Sequence, residues 1–154
     1  MRGGPATGNL RIGVVASRFN REITDLLLKG AVEALLRTGV APDRMVVVSV
    51  PGAFEIPGTA QALAPQVDAV VCLGCVIRGE TEHFTYVASA VQQGVVRVSL
   101  DTGIPVIFGV LTTETFEQAL ERAGGDMATG GDKGGEVALD ALEMANLYRV
   151  LKAR

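Results

Sequence analysis

Short runs that are apolar throughout alternate along this chain with longer stretches whose apolar residues recur every three or four positions. Residues 10–16, carrying Leu10, Ile12, Val14 and Val15, form the first run and predict a β-strand rich in branched side chains. Residues 45–50, 69–77 and 104–110 predict three more strands. Over residues 22–38, Ile23, Leu26, Leu27, Ala31, Ala34 and Leu35 fall at helical spacing, and Gly39 supplies the stop. A second helix is predicted to start near Ile56-Pro57, where proline suits a first turn, and to run to about Ala64. A third covers residues 81–100, and two more lie near 115–123 and 135–152. The glycine-rich stretch Gly124-Gly125-Asp126-Met127-Ala128-Thr129-Gly130-Gly131 separates those last two.

Strands that are apolar on every position are buried on both faces, and their alternation with helices predicts a parallel sheet. The expected fold class is α/β: a three-layer αβα sandwich, flavodoxin-like, whose four-stranded parallel sheet has the order 2-1-3-4. Residues 10–154 read as a single domain and residues 1–9 as a mobile amino-terminal arm. In such sheets ligands sit outside the carboxyl ends of the strands, where the strand order reverses. That point lies between the first and third strands and picks out two loops, Ser17-Arg18-Phe19-Asn20 and Arg78-Gly79-Glu80-Thr81-Glu82-His83. The third helix adds a separate expectation. Between His83 and Asp101 its only charged residue is Arg97, while Val87, Ala88, Ala90, Val91, Val95, Val96 and Val98 occupy nearly every side. A helix that is apolar all round needs cover all round, which predicts a neighbouring subunit on one side of it.

Composition narrows the classes of function. The 154 residues are 48% hydrophobic and 20% charged, which supports a buried core and argues against disorder. A mean hydropathy of +0.33 is high for a small soluble monomer and agrees with an oligomer. The net charge is −3, the pI is near 5.2 and no Lys/Arg cluster occurs, so the footprint of a nucleic-acid binder is missing. No apolar run approaches the ~20 residues that cross a bilayer. The segment Met1-Arg2-Gly3-Gly4-Pro5-Ala6-Thr7-Gly8 lacks the apolar middle of a secretory signal, so the expected location is cytoplasmic with no membrane partner.

Several side chains are candidates for chemistry. Cys72 and Cys75 have redox spacing, but they sit in a strand run, where residues three apart point to opposite faces. Further zinc ligands are also wanting, so two reduced core cysteines are expected. His83 is the only histidine and stands in the first turn of the third helix, at the open edge of the sheet. It is either a surface residue capping a turn or a proton carrier, the role histidine suits best near neutral pH. Thr81 is a candidate N-cap, and the amides of Gly79-Glu80-Thr81 would face an anion at the helix start; the alternative is a cap and nothing more. Gly131 stands where a phosphate loop requires lysine and no strand precedes that loop, so the glycine-rich stretch fails the template. Glu55 ends the second strand in apolar company and needs a cation or a hydroxylated ligand. Phe19 is either core or a stacking face for a planar ring.

Four segments occur in order: Arg18-Phe19-Asn20, Pro51-Gly52-Ala53-Phe54-Glu55-Ile56-Pro57, Gly74-Cys75-Val76-Ile77-Arg78-Gly79-Glu80-Thr81-Glu82-His83 and Phe108-Gly109-Val110-Leu111-Thr112-Thr113-Glu114. With Glu121-Arg122-Ala123-Gly124 and Glu143-Met144-Ala145-Asn146, they resemble the lumazine synthase family from about Leu10 to the end. The resemblance implies a transferase of riboflavin biosynthesis. Its reaction would condense 5-amino-6-(D-ribitylamino)uracil with 3,4-dihydroxy-2-butanone 4-phosphate, with no metal or organic cofactor. It further implies that Phe19 stacks on the pyrimidine while Ala53, Phe54 and Glu55 hold the ribityl chain and ring edge. Cys75, Val76 and Ile77 would add backbone contacts, Glu80 and Thr81 would meet the phosphate, and His83 would carry protons. Arg122 would clamp the phosphate and Phe108 would close the ring pocket, both from an adjacent subunit. Lys133 and Glu136 match positions near the phosphate end.

The sequence departs from the family pattern in places. Glu80 replaces a small residue and sets a carboxylate near a phosphate, which requires its side chain to turn to solvent or pair with Arg78. Cys75 stands for a commoner threonine. The stretch from Arg122 to Lys133 is longer than in members that build icosahedral shells, which favours a homopentamer over a shell. Two other readings are a riboflavin synthase of the same fold and a non-catalytic flavin-binding or shell-forming protein. The intact loop ending at His83, together with Arg122, argues against the riboflavin synthase, whose substrate has no phosphate to clamp.

Overall fold

Four parallel strands, β1 (Ile12–Ser17), β2 (Met45–Val50), β3 (Ala69–Ile77) and β4 (Val106–Thr113), form one sheet of order β2-β1-β3-β4 in the computed structural model. The structure describes residues 1–4, 8–125 and 130–154; residues 5–7 of the expected arm and 126–129 of the glycine-rich connection lie outside them. Four of the ten residues between Arg122 and Lys133, where extra length is expected, thus lie outside the described residues. Every residue of β1 is buried, as its uninterrupted apolar run requires of a strand with a neighbour on each side and a helical layer on each face.

Helices α1 (Arg21–Arg37), α4 (Phe116–Ala123) and α5 (Lys133–Lys152) cover one face of the sheet, and α2 (Ile56–Leu63) and α3 (His83–Thr102) cover the other. Alternate strand residues divide between the two cores: Ile12, Val14 and Ala16 face α1 and α5, while Val15 faces α2 and α3. This is the three-layer flavodoxin-like sandwich that the pattern predicts. Arg2 pairs with Glu143 at 3.1 Å, and the Asn146 amide donates to the Gly4 carbonyl at 2.6 Å, so these first residues lie along α5.

Element ends differ from the sequence reading for local reasons. The last strand starts later and ends later than predicted. Ile104 is taken up in a turn, its carbonyl accepting from the Ser99 hydroxyl at 2.9 Å, while Leu111, Thr112 and Thr113 continue the ladder opposite Cys75, Val76 and Ile77. The start of α3 moves from residue 81 to His83, and Gly103, at φ 70, ends it in the left-handed region. Within one chain α3 is not covered all round. Only Val91, Val95 and Val98 are buried along it, whereas Tyr86 is 71% and Leu100 78% exposed, because α2 is the main helix packed against it among the described residues.

The closest helix contact is between α1 and α5. Gly134, in the first turn of α5, lies so near α1 that a Cβ there would run into the Leu27 carbonyl. Asp132 caps α5 by accepting from the Gly135 amide at 3.0 Å. Gly134→Ala is therefore expected to cost roughly 2 kcal/mol, since a backbone carbonyl cannot move aside as a flexible side chain can. Thermal unfolding of the two proteins checks this, and an unchanged midpoint would show that the two helices can separate freely.

Candidate active site

The chain leaves β1 toward α1 on one face and leaves β3 toward α3 on the other. Adjacent strands whose continuations diverge leave a crevice between them. A cleft of about 750 Å³ occupies that place. Its walls come from the loops after β1, β2 and β3 and from the first turns of α3.

The loop after β1 continues the parallel ladder past the strand ends. Arg18 N–H donates to the Val50 carbonyl at 2.8 Å and Phe19 N–H to the Pro51 carbonyl at 3.0 Å. The Phe19 ring lines the cleft and is 71% exposed, which decides against the core reading of this residue. Asn20 follows at φ 60, and its side-chain amide donates to the Cys75 carbonyl at 3.0 Å.

After β2 the chain turns through Pro51-Gly52 into a short 3₁₀ turn at Ala53–Glu55. Ala53 is buried under the cleft and the Phe54 ring stands at its mouth, 65% exposed. Glu55 is exposed rather than sunk in apolar surroundings. Its Oε2 accepts from the Gly52 amide at 3.1 Å, so the partner is main chain and not a cation. At the end of β3, Cys75, Val76 and Ile77 form the strand edge of the cleft.

The β3–α3 loop carries the polar rim. Arg78 is turned away from Glu80: its Nε pairs with Glu114 Oε2 at 2.8 Å, and its guanidinium lies 5.1 Å from the centre of the Phe84 ring. The Glu80 side chain accordingly faces solvent. Thr81 precedes the assigned cap position, held by Glu82, yet its hydroxyl oxygen accepts from the His83 amide at 3.3 Å. Gly79, Thr81 and His83 all line the cleft. Tyr86 and Val87 share the His83 face of α3, and the structure adds them and Phe84 to the lining. The i, i+3, i+4 spacing from His83 was the available signal for Tyr86 and Val87.

Other expected site residues are not brought to this cleft. Phe108 is half-buried midway along β4, opposite Cys72. Arg122 is exposed in the last turn of α4, which belongs to the opposite face of the sheet. Lys133 pairs with Glu136 at 3.7 Å in the first turn of α5, away from the cleft lining. Among the described residues no Lys or Arg lines the cleft, and no group of three potential metal ligands occurs. No helix among them is long and apolar enough to cross a membrane.

Aromatic rings beside a strand edge of carbonyls and amides suit a planar ring with a polar perimeter, and a histidine in the same lining suits proton transfer. The fold and cleft thus define a small-molecule site at the switch point of a flavodoxin-like domain. The sequence profile of the 6,7-dimethyl-8-ribityllumazine synthase family matches residues 9–149 of the 154. The chain belongs to that family, a group of transferases.

The cysteines lie as their spacing predicts. Cys72 is buried in the core under α2 and α3, and Cys75 in the core under α1 and α5. Burial pushes the Cys72 thiol from 9.0 up to about 12 and the Cys75 thiol up to about 11. The folded chain thus keeps protons that the unfolded chain loses, and stability follows with a definite sign. The contribution is fully present below pH 9.0 and is lost as pH rises through 11 toward 12. Thiol titration should find neither cysteine reactive at pH 8 in the native protein and both reactive in denaturant. Rapid native labelling at that pH would contradict this burial.

Proposed function

We propose that this protein condenses 5-amino-6-(D-ribitylamino)uracil with 3,4-dihydroxy-2-butanone 4-phosphate. The products are 6,7-dimethyl-8-ribityllumazine, phosphate and water, and the setting is cytoplasmic riboflavin biosynthesis. The observation that carries this reading is the cleft itself, which the Phe19 and Phe54 rings line together with the Cys75–Ile77 strand edge and His83. Family membership supplies the reaction type.

In this reading the pyrimidine slides between the Phe19 ring and the strand edge. Val76 and Ile77 offer main-chain groups to its perimeter, since the Cys75 carbonyl is already engaged by Asn20. Glu55 retains acceptor capacity for ribityl hydroxyls while one oxygen holds Gly52. The Thr81 oxygen takes the His83 amide and leaves its proton to donate to a phosphate oxygen, beside the amides of Gly79 and Glu80. The uracil amine attacks the ketone, and water leaves to form the imine. Phosphate is then eliminated, and the ribityl-bearing nitrogen closes the ring with loss of a second water. His83 accepts and returns the protons of imine formation and elimination.

A phosphate dianion in a cleft that lacks Lys and Arg needs a cation from elsewhere. We assign this to Arg122 of an adjacent copy, with Phe108 of that copy closing the ring pocket and Lys133 near the phosphate. The exposed side of α3 would then be covered by a neighbour in a homopentamer, and the functional unit would be the interface.

His83→Ala should lower kcat by roughly 10²–10⁴-fold, the range for a lost general acid–base; wild-type turnover would exclude the proton role. Arg122→Ala should raise the KM of the phosphorylated substrate roughly ten- to hundredfold. When the two variants are unfolded and refolded together, mixed oligomers should regain activity that neither has alone. Failure to complement, or sedimentation as a monomer, would place the cation in the same chain.

A further inference from the structure

Asn20 occupies the position immediately before α1, where asparagine ordinarily caps a helix by accepting from its first amides. Here it makes no side-chain capping bond, and its backbone stands in the left-handed region at φ 60, ψ 49. Only its main-chain carbonyl serves the helix, accepting from Ile23 at 2.9 Å and Thr24 at 3.1 Å. The side-chain amide is turned the other way and donates to the Cys75 carbonyl at the end of β3. A non-glycine residue is disfavoured in this conformation, asparagine least, and such residues persist where the surroundings fix them. The left-handed turn is what lets the amide reach across from the loop after β1 to β3.

The neighbour of Asn20 is the exposed ring of Phe19. No close packing restrains that ring, so its place is set by the backbone that carries it. Toward β2 the restraint is main-chain bonding, Arg18 to Val50 and Phe19 to Pro51, which is open to almost any sequence. Toward β3 the only tether among the described residues of this loop is the Asn20 side chain. That tether spans the two walls of the cleft, the Phe19 face and the Cys75–Ile77 edge. We infer that Asn20 is a positioning residue: it gives up the capping of α1 to fix the width of the slot in which the planar substrate stacks. This rests on the reading of the cleft as the pyrimidine site.

Two variants separate the tether from ordinary stability. Asn20→Asp keeps the shape, the tolerance of φ 60 and the ability to cap α1, but its carboxylate cannot donate and faces the Cys75 carbonyl. Asn20→Gly suits the backbone conformation and removes the amide. Both are expected to raise the pyrimidine KM about tenfold, the scale of one lost part-buried hydrogen bond, while the KM of the phosphorylated substrate stays within about twofold. Asn20→Asp should lower the thermal midpoint by only about 2–4 °C, the scale of one lost bond in a domain of this size. Combined with Phe19→Ala it should be no worse than Phe19→Ala alone, because Asn20 acts through that ring.

An unchanged pyrimidine KM in both variants would overturn the inference, as would equal rises for both substrates or effects that add to those of Phe19→Ala. Hydrogen exchange of the Phe19 amide, bonded to the Pro51 carbonyl, reads the same tether without substrate. It should quicken about tenfold in both variants; unchanged protection would overturn the tether itself. A wild-type protein that protects this amide yet forms no lumazine would instead remove the substrate reading and leave the tether standing.

Discussion

The pairing of β1 with β3 is the constraint on which the rest of the molecule depends. It places Ala16 beside Leu73 near the end of β1, and it makes neighbours of two strands whose following helices lie on opposite faces. From there the geometry is forced. The chain turns one way after Ser17 and the other way after Ile77, and among the described residues no element fills the angle between. The burial of every β1 side chain makes this arrangement rigid, because a one-residue slip would exchange the two cores.

What lines the resulting cleft divides by chemical type. Ring surface is supplied by side chains, Phe19, Phe54 and Tyr86, which are costly to leave exposed unless something stacks on them. The polar groups at the cleft's edge combine main chain at the end of β3 with the side chains of Glu55, Thr81 and His83. Arg78, the cation nearest in sequence to the rim, is withdrawn by Glu114 and the Phe84 ring. In being withdrawn it fastens the start of α3 to the end of β4, and so steadies the turn that carries His83.

The fold was legible because its strands are apolar on every position, a pattern that only a doubly covered parallel sheet satisfies. The ends of β2 and β3 were read to the residue, since Pro51 and Arg78 interrupt the run abruptly. β4 runs three residues past its predicted end because Thr112 and Thr113, polar in composition, pair with Val76 and Ile77. Within the site, Phe19 and His83 followed from their place at the switch point. Tyr86 and Val87 lie a turn into α3, beyond the loop motif, and only their i+3 and i+4 spacing from His83 points to them. Asn20 was seen as part of a motif, but its role depends on a bond to Cys75, 55 residues away, which no local pattern encodes.

Gly134 carries a consequence for how the chain is made. The face of the sheet under α1 is sealed by α5, whose first turn touches Leu27 across more than a hundred residues of chain. On a ribosome the strands, α1 and α4 emerge before α5 does, so the part of this core that α5 covers stays wet while synthesis continues. Sticky Val and Leu surface is then open to wrong partners for seconds, at ordinary elongation rates. Final closure waits on Gly134, whose missing side chain lets the first turn of α5 settle against the Leu27 backbone. Termination just before α5 would leave not a smaller stable protein but an aggregation-prone fragment with part of one core uncovered.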